Sequence, residues 1–362
     1  MEFIKSISAA DLSICEGADS FLQSALWGRF KARFGWEANA FSVDWRQGGE
    51  RPLLALSRRI APFLSMTYIP WGPEFPADFP DDPHLRAEAA AELALALKPF
   101  LRSAFIRFDP PWFDPDGPPL PLGGKFRRAG ADIQPPDTVL VDLTPPLDDI
   151  LSAMKPKCRY NIGLAQKRGV LVRGHEDSAA GDGSCKQDVP GGIEVFYRLL
   201  KETALRDGIA VHGVEYYRAL FEEAYSSSQI IPTQLRLYTA AHEGDDIAAI
   251  VALFRGKQAL YLYGASSNIK RNLMAPYALQ WKAIQDAKDF GCEVYDLFGI
   301  PPDESPGHPM AGLYRFKTGF GGIIVHRPGS WDYPYKPLLH ALFKTAENLR
   351  KKAMTRQRAK NR

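Results

Sequence analysis

The sequence predicts a mixed α/β (α+β) protein made of two similar domains. The chain has 362 residues, a length typical of about two domains. Hydrophobic residues make up 45% and charged residues 24%, which are values of globular proteins. A helix, a strand pair, a further helix and a short strand ending in an acid occur before Asp109 and again before Asp296. Two domains with mixed sheets flanked by helices account for all three observations.

Composition excludes several classes of protein. The formal net charge is only +3, so contact with nucleic acid or a membrane has to come from local patches. The four cysteines form no C-x-x-C pair, which argues against a disulfide scaffold or a zinc ribbon and fits a reducing compartment. No signal-peptide pattern and no apolar run of membrane-spanning length (~18 residues) occurs. We therefore expect a cytoplasmic protein, with no metal and no cofactor.

The first half is predicted from apolar spacing and from its prolines. A broad apolar face predicts a helix over Asp19–Gly35, capped by Asp19 or Ser20. Strands at Ala38–Asp44 and Leu53–Arg59, a helix at Pro83–Ser103 and a strand at Ala104–Phe108 follow. The six prolines of Pro110–Pro121 exclude regular structure there. This loop is either a surface connector or the rim of a cleft.

The second half alternates predicted helices and strands. Pro156 and Pro276 suit first helical turns, and Gly291 suits a helix end. The small, polar stretch His175–Gly192 predicts a flexible insertion. The predicted strands are Thr138–Leu143, Gln234–Ala241, Ile247–Arg255, Gln258–Gly264 and Val294–Phe298, and the predicted helices are Leu147–Met154, Pro156–Gly169, Ile193–Asp207, Val214–Ser226 and Pro276–Phe290.

The hairpin, polar loop, helix and strand of the second half resemble the fold of the Gcn5-related N-acetyltransferases. In that fold, backbone amides at a helix start hold the pyrophosphate of coenzyme A, because the first N–H groups of a helix are unpaired. The corresponding loop here, Arg271–Pro276, has no glycine to allow close backbone approach. The resemblance therefore implies the fold without the coenzyme A site.

Two stretches carry a more specific resemblance. One is MKPKCRYNIGLAQKRGV at 154–170, and the other combines YLYGASS, APYALQWKAIQDAKDFGCEVYDLFGI and GLYRFKTGFGG between 261 and 322. With the early segment WGRFKARFGW, they resemble the FemABX family of aminoacyl-tRNA-dependent transferases, which build peptidoglycan cross-bridges. The resemblance implies two Gcn5-like domains packed together, here residues 1–145 plus 320–362 for the acceptor and 146–319 for aminoacyl-tRNA. No charged heptad stretch is present, so we expect a compact member without a helical arm.

The implied reaction moves an amino acid from its tRNA ester to the stem-peptide amine of lipid II or UDP-MurNAc-pentapeptide. A lysine-type amine with a pKa of ~10.4 is nearly all protonated at neutral pH, so it has to be desolvated or deprotonated. No Ser-His-Asp or Cys-His spacing stands out for a covalent acyl-enzyme. Two alternatives stay open, a coenzyme A-dependent N-acyltransferase acting on another amine and a non-enzymatic module that binds tRNA or a cell-wall precursor.

Two residues are candidates for catalysis. By resemblance, Lys317 is the Phe-Lys signature lysine that meets the aminoacyl end of tRNA, where a cation can stabilise the oxyanion or the leaving ribose oxygen. The alternative for Lys317 is an ordinary lysine whose stem lies along an amphipathic helix. Asp109 follows a strand, and it can orient the acceptor amine or accept its proton. A turn-initiating aspartate before Pro110 is the equal alternative for Asp109.

Two parts of the sequence are candidates for gripping the acceptor by its charges. Lys31 matches the lysine of an early W-x-x-x-Lys pattern and can neutralise acceptor phosphates, or else lies on a solvated helix face. His212 and Tyr216 are four apart and share a helical face. By resemblance they occupy the Arg and Tyr positions that hold the muropeptide, with Arg206 as a substitute for the missing arginine. An ordinary capping histidine is the alternative for His212.

Tyr261 and Tyr263 alternate on a predicted strand, so we expect both on the same side of the sheet. Such a pair can stack on a sugar or uracil ring of the acceptor. The alternative is a pair that faces the core.

A basic stretch with an opposing apolar stripe predicts contact with tRNA phosphates, or else a solvated helix face. Its predicted contacts are Lys155, Lys157, Arg159, Lys167 and Arg168. The tail Arg350–Arg362 is equally basic. It can contact tRNA or the anionic inner membrane surface, or it is a frayed, solubilising tail.

Overall fold

The computed structural model describes residues 2–113, 118–175, 188–226, 230–305 and 307–360. Residues 176–187 of the predicted insertion and residues 114–117 of the proline loop lie outside the described residues. The chain divides into two compact units, residues 1–136 with 325–362, and residues 137–324. Among the described residues, none of the helices combines the length and apolarity needed to cross a membrane.

Helices and strands make up most of the described residues. In chain order, they are β1 Ile4–Ala10, α1 Ala25–Ala32, β2 Glu37–Trp45, β3 Gly49–Ala61, β4 Leu64–Ile69, α2 Pro83–Leu97, β5 Phe105–Phe108, β6 Arg127–Arg128, β7 Asp137–Asp142, α3 Leu147–Ala153, α4 Pro156–Lys167, β8 Leu171–His175, α5 Asp188–Asp207, α6 Val214–Ser226, β9 Thr233–His242, β10 Asp245–Arg255, β11 Gln258–Ser266, α7 Ala275–Phe290, β12 Val294–Asp296, α8 Ala311–Lys317, β13 Ile323–His326, β14 Trp331–Pro334 and α9 Pro337–Lys360.

The first unit contains a seven-stranded sheet in the order β1-β2-β3-β4-β5-β14-β6. Its pairs are antiparallel except β4 with β5, which run parallel with Met66 opposite Phe105. Helix α2 begins at Pro83, with Asp82 capping its first turn, and it packs on the sheet through buried residues such as Ala90, Leu93 and Leu97. The parallel β4–β5 pair leaves Ile69 and Asp109 side by side at the carboxyl ends of their strands.

The helix predicted over Asp19–Gly35 is wrong in its first third. A short 3-10 turn precedes α1, and the Ser24 hydroxyl caps α1 by accepting from Trp27 N at 3.2 Å. The Asp19 and Ser20 amides instead donate to the carboxylate of Glu74. Neither Asp19 nor Ser20 caps α1, because both residues bond to Glu74, which is distant in sequence and cannot be anticipated from local spacing.

A buried charge network ties the last helix of the first unit to its sheet. Arg107 of β5 donates to both carboxylate oxygens of Asp332 in β14, at 2.6 and 2.9 Å. His340 Nε2 lies 2.9 Å from Asp332 Oδ2, and Glu347 accepts from Arg107 at 3.0 Å. Both His340 and Glu347 belong to α9, so the network fixes that helix to the centre of the unit.

The second unit contains a seven-stranded sheet in the order β13-β7-β12-β11-β10-β9-β8. Helices α4 and α7 pack on the face of β10 that carries Ala248, Ile250, Ala252 and Phe254. Helix α7 connects the parallel strands β11 and β12, and it ends at Gly291, which has a left-handed conformation.

The domain boundaries lie elsewhere than the predicted cuts after residues 145 and 319. Strand β7 pairs with β12, with Asp142 opposite Val294, so residues 137–145 belong to the second unit. Residues 320–324 also belong to the second unit, because β13 extends its sheet beside β7. Hydrogen bonding between strands distant in sequence sets these limits.

Candidate active site

Lys317 is a buried lysine at the end of α8, with 6% of its surface exposed. Its ammonium donates to the carbonyl oxygens of Phe298 and Gly299, both at 2.8 Å. It also lies 5.1 Å from the ring centroid of Tyr261. Burial lowers the pKa of Lys317 to about 7, and the nearby charge of Asp296 opposes the shift. Lys317 is therefore a held, titratable group and not a lysine that extends into water.

The turn after β12 presents the two carbonyls to Lys317. Asp296 ends the strand, and its Oδ1 accepts from Phe298 N at 2.7 Å and from the Thr138 hydroxyl. Phe298 has a φ of 57°, in the left-handed region. A non-glycine residue is held in that conformation only when its surroundings require it, and such residues cluster at functional sites.

Tyr261 and Tyr263 lie on opposite faces of the sheet, so the expected shared platform is wrong. A β-bulge at this point pairs Tyr263 with Val251 and Tyr261 with Ala252. Val251 and Ala252 are consecutive in β10 and point to opposite faces, and so do their partners. Tyr261 lies on the face of the sheet that packs against α7, and it is beside Lys317. Strict alternation predicted one face because a bulge has no clear signature in this sequence.

Tyr263 joins an aromatic cluster that involves α6. The rings of His212 and Tyr216 stack, with centroids 3.8 Å apart, although His212 precedes α6 and does not share a helical face with Tyr216 as their spacing predicted. Tyr217 contacts Tyr263 edge-on at 5.2 Å. Burial raises the pKa of Tyr216, so both its hydroxyl and that of Tyr263 stay protonated at neutral pH. The cluster offers flat rings and hydroxyl groups but no permanent charge.

Arg206 is held by several partners next to the loop after β11. Its guanidinium donates to the Ser266 carbonyl at 2.9 Å and to Asn268 Oδ1 at 3.0 Å. It also pairs with Asp207. Arg206 thus stabilises the loop after β11. If it replaced the family's arginine in binding an anion of the acceptor, that anion would compete with these contacts.

The basic helix α4 begins beside Lys317. Lys155 Nζ donates to the Thr318 hydroxyl at 3.2 Å, and Lys155 N donates to Gly319 O at 2.9 Å. Arg159 is occupied, since it donates to the carbonyls of Ser152 and Met154. The exposed members of the predicted tRNA contact are Lys155, Lys157, Lys167 and Arg168.

Asp109 lies in the first unit as a buried carboxylate, 3% exposed. It accepts from the Tyr68 hydroxyl at 2.5 Å, from Gln134 N at 3.1 Å and from the Ser330 hydroxyl. Burial raises the pKa of Asp109 to about 6, although the three hydrogen bonds oppose the shift. A pKa this close to neutrality suits proton transfer better than that of a turn aspartate.

Lys31 also lies in the first unit, among aromatic rings. Its ammonium is 5.3 Å from the centroid of Trp27 and 5.8 Å from those of Phe30 and Trp36. Burial, together with the charge of Arg58, lowers the pKa of Lys31 to about 8. The Trp36 ring in turn contacts Tyr68, the residue bonded to Asp109. Lys31 and Asp109 are therefore linked through two aromatic rings.

Neither a metal site nor a glycine-lined pyrophosphate loop is seen in the described parts of the chain. No cluster of His, Cys, Asp and Glu able to hold a metal occurs among the described residues. The loop before α7 forms a 3-10 turn at Arg271–Leu273, between Lys270 and Met274 in left-handed conformations. Every residue of this loop carries a side chain, so the loop lacks the glycines that would let a pyrophosphate approach the backbone closely.

The chain matches the model of the FemAB family over residues 122–233 and 231–348, more than half of its length. It belongs to the FemAB family. The lipid II:glycine glycyltransferase of Staphylococcus aureus strain USA300 is 23% identical, over 94% of this chain and 92% of that one. The predictions of this family and of an aminoacyltransferase enzyme are confirmed.

Solved structures agree on the fold. The crystal structure of FemX aligns with a TM-score of 0.70 at 19% identity, over 92% of this chain and 97% of its own. The C-terminal domain of a putative lysylphosphatidylglycerol synthetase from Agrobacterium fabrum aligns with a TM-score of 0.51 at 13% identity, over 92% and 93%. The predicted fold class of two acyltransferase-like domains is confirmed.

Several residues around the candidates were not anticipated from sequence. Trp36 and Tyr68 connect Lys31 with Asp109, and Tyr217 joins Tyr216 to Tyr263. Trp36 closes the segment WGRFKARFGW and Tyr217 directly follows Tyr216, so their neighbourhood in sequence was a usable signal. The carbonyls of Phe298 and Gly299 carry no side-chain signal, and only the structure reveals them.

Proposed function

We propose that this protein transfers an amino acid from aminoacyl-tRNA to the stem-peptide amine of a peptidoglycan precursor, lipid II or its soluble nucleotide form. Family membership supports the reaction class. The observation that carries the proposal is Lys317, an ammonium held by two carbonyls and an aromatic ring inside the second unit. A buried cation held in advance is what acyl transfer needs where negative charge develops.

The chemistry follows from the ester. The neutral acceptor amine attacks the ester carbonyl, and the carbonyl oxygen becomes an oxyanion in the tetrahedral intermediate. The C–O bond to the ribose then breaks, the amide remains, and the ribose oxygen takes a proton. In this proposal Lys317 stabilises the oxyanion or the leaving ribose oxygen through the N–H that is not donated to Phe298 or Gly299. Such a donor lowers the free-energy barrier by ~3 kcal/mol, which raises the rate about 100-fold.

The acceptor amine has to lose one proton overall. In this proposal the acceptor's own phosphate or carboxylate takes this proton and passes it to the leaving ribose oxygen, and Asp109 is the secondary candidate for the same role. A pKa near 6 leaves most of Asp109 ionised at neutral pH, as an acceptor of a proton has to be. The Tyr68 and Ser330 hydroxyls stabilise the ionised form and hold its orientation.

Binding of the two substrates is assigned to separate groups. Lys31 neutralises phosphate of the acceptor, since its ammonium is held among rings and stays charged below pH 8. His212, Tyr216 and Tyr263 supply aromatic and hydroxyl contacts to the same substrate. The exposed cations of α4 contact tRNA phosphates, and the contact of Lys155 with Thr318 puts the start of this helix next to Lys317.

The test compares donors and variants in one assay. The purified protein is mixed with radiolabelled aminoacyl-tRNA or acetyl-coenzyme A, and with lipid II or UDP-MurNAc-pentapeptide. We expect label on the muropeptide from the tRNA donor and its loss with Lys317→Met. The matched control is Lys257→Met, which removes a lysine that is 75% exposed in its side chain on a hairpin turn of the same unit. Acylation from acetyl-coenzyme A alone would contradict the proposal, and so would equal activity of both variants.

A further inference from the structure

We propose that one end of the first unit's sheet is a docking surface for an anionic lipid bilayer. Three segments form this end, namely the β3–β4 turn, the stretch before β5 and the start of α9. We call them together the lipid surface, defined as residues 58–64, 98–104 and 335–346. The inference does not depend on turnover, so it stands or fails separately from the proposed function.

Backbone hydrogen bonds join the three segments. Ala104 N donates to Ser65 O at 2.8 Å, just after the β3–β4 turn. Ala104 O accepts from Tyr335 N at 2.9 Å and from Lys336 N at 2.8 Å. The Ser65 hydroxyl also donates to Arg102 O at 2.8 Å. The turn and the start of α9 therefore lie on either side of the same peptide, at one end of the sheet.

Large apolar side chains are exposed on all three segments. Phe63 at the turn is 71% exposed, and Leu338 and Leu342 on α9 are 83% and 64% exposed. Ile60 and Phe100 belong to the same group. These are not loosely packed core residues, because the opposite face of α9 makes the core contacts, with Phe343 4.9 Å from Phe105. Three adjoining exposed apolar segments mark an interaction site, whereas single exposed leucines do not.

Within the three segments, the charged side chains all carry the same sign. The three segments contain six Lys and Arg residues and no Asp or Glu, although the whole chain is nearly balanced. The exposed cations include Arg59, Lys98, Arg102 and Lys336. Apolar side chains surrounded by cations match a membrane with anionic headgroups, where the rings and leucines enter the acyl boundary and the cations meet phosphates. A protein partner would have to supply an acidic rim instead.

Vesicle binding tests the surface directly. The full chain is sedimented with vesicles of phosphatidylcholine, alone or with a third of phosphatidylglycerol. We expect binding only to the anionic vesicles, with an affinity that falls as salt increases. The variant Phe63→Ser/Leu338→Ser should lose at least about tenfold in affinity, and Arg59→Gln/Arg102→Gln about 25-fold, at about fivefold per cation.

The matched control is Ile230→Ser/Ile269→Ser, which removes two exposed isoleucines of the second unit. This control should bind as the unsubstituted chain does, and thermal melting should show that all variants fold. Absence of binding to anionic vesicles would overturn the proposal, as would equal binding by the surface variants. Loss of a dimer in the apolar variant, without vesicle binding by the unsubstituted chain, would overturn it in favour of a protein interface.

Discussion

Lys317→Met separates the chemical role of Lys317 from its effect on stability. Burial lowers the pKa of Lys317 from 10.5 to about 7, so the folded state loses this proton before the unfolded state does. Between these two values the unfolded state binds more protons, and the free energy of unfolding of the unsubstituted protein therefore rises with pH. Each pKa unit corresponds to about 1.4 kcal/mol, so the full cost of the buried charge below pH 7 is about 5 kcal/mol.

Methionine has no charge to bury and no donor for the Phe298 and Gly299 carbonyls. The lost hydrogen bonds are independent of pH, whereas the cost of the charge is not. We therefore expect the stability of the unsubstituted protein, relative to Lys317→Met, to rise by about 2 kcal/mol between pH 7 and pH 9. Urea denaturation at the two pH values measures this difference, and Lys257→Met should show no comparable change.

The same variant is predicted to lose activity while it stays folded. Removing the donor from a developing oxyanion lowers the rate by about 10²–10³. The assay is transfer of label from aminoacyl-tRNA to the muropeptide at saturating substrate. Activity within about threefold of the unsubstituted protein would refute the catalytic role of Lys317, and a stability difference that stays constant with pH would refute its perturbed pKa.

Three further predictions test other parts of the molecule. Lys31 loses its charge above pH 8, so the KM for the acceptor should rise there, and Lys31→Arg should abolish this rise. In Gly264→Ala the new methyl would lie 1.7 Å from the hydroxyl oxygen of Tyr261, so activity should fall at least about tenfold and partly recover when Tyr261→Phe is added. Arg107→Met removes the cation that donates to Asp332 and Glu347 and should cost about 3–5 kcal/mol in urea denaturation, and adding Asp332→Leu should restore only part of it, because His340 then loses its partner.

The fold was predictable because its signals are local. The Pro156 and Pro276 starts and the Gly291 end of α7 follow from backbone chemistry, and the structure has helices at these points. The predicted domain limits differ from those of the structure because β7 and β13 join the second sheet by pairing with strands distant in sequence, and sequence spacing does not reveal such pairing.

The candidate site was predictable only in part. Burial of Lys317 and Asp109 depends on tertiary packing, and so do their perturbed pKa values. The opposite orientation of Tyr261 and Tyr263 depends on a single bulge, which shifts a strand by one residue and reverses the face of every side chain beyond it. Their roles in substrate binding and catalysis stay predictions.

Aminoacyl transfer by the purified protein is the most direct test of the proposed reaction. The measurement supplies a pool of radiolabelled aminoacyl-tRNAs with lipid II or UDP-MurNAc-pentapeptide, and it follows both deacylated tRNA and labelled muropeptide. We predict that one molecule of deacylated tRNA appears for each labelled muropeptide, and that the identity of the label names the amino acid. Deacylated tRNA without labelled muropeptide, or no reaction with either acceptor, would contradict the proposed transfer.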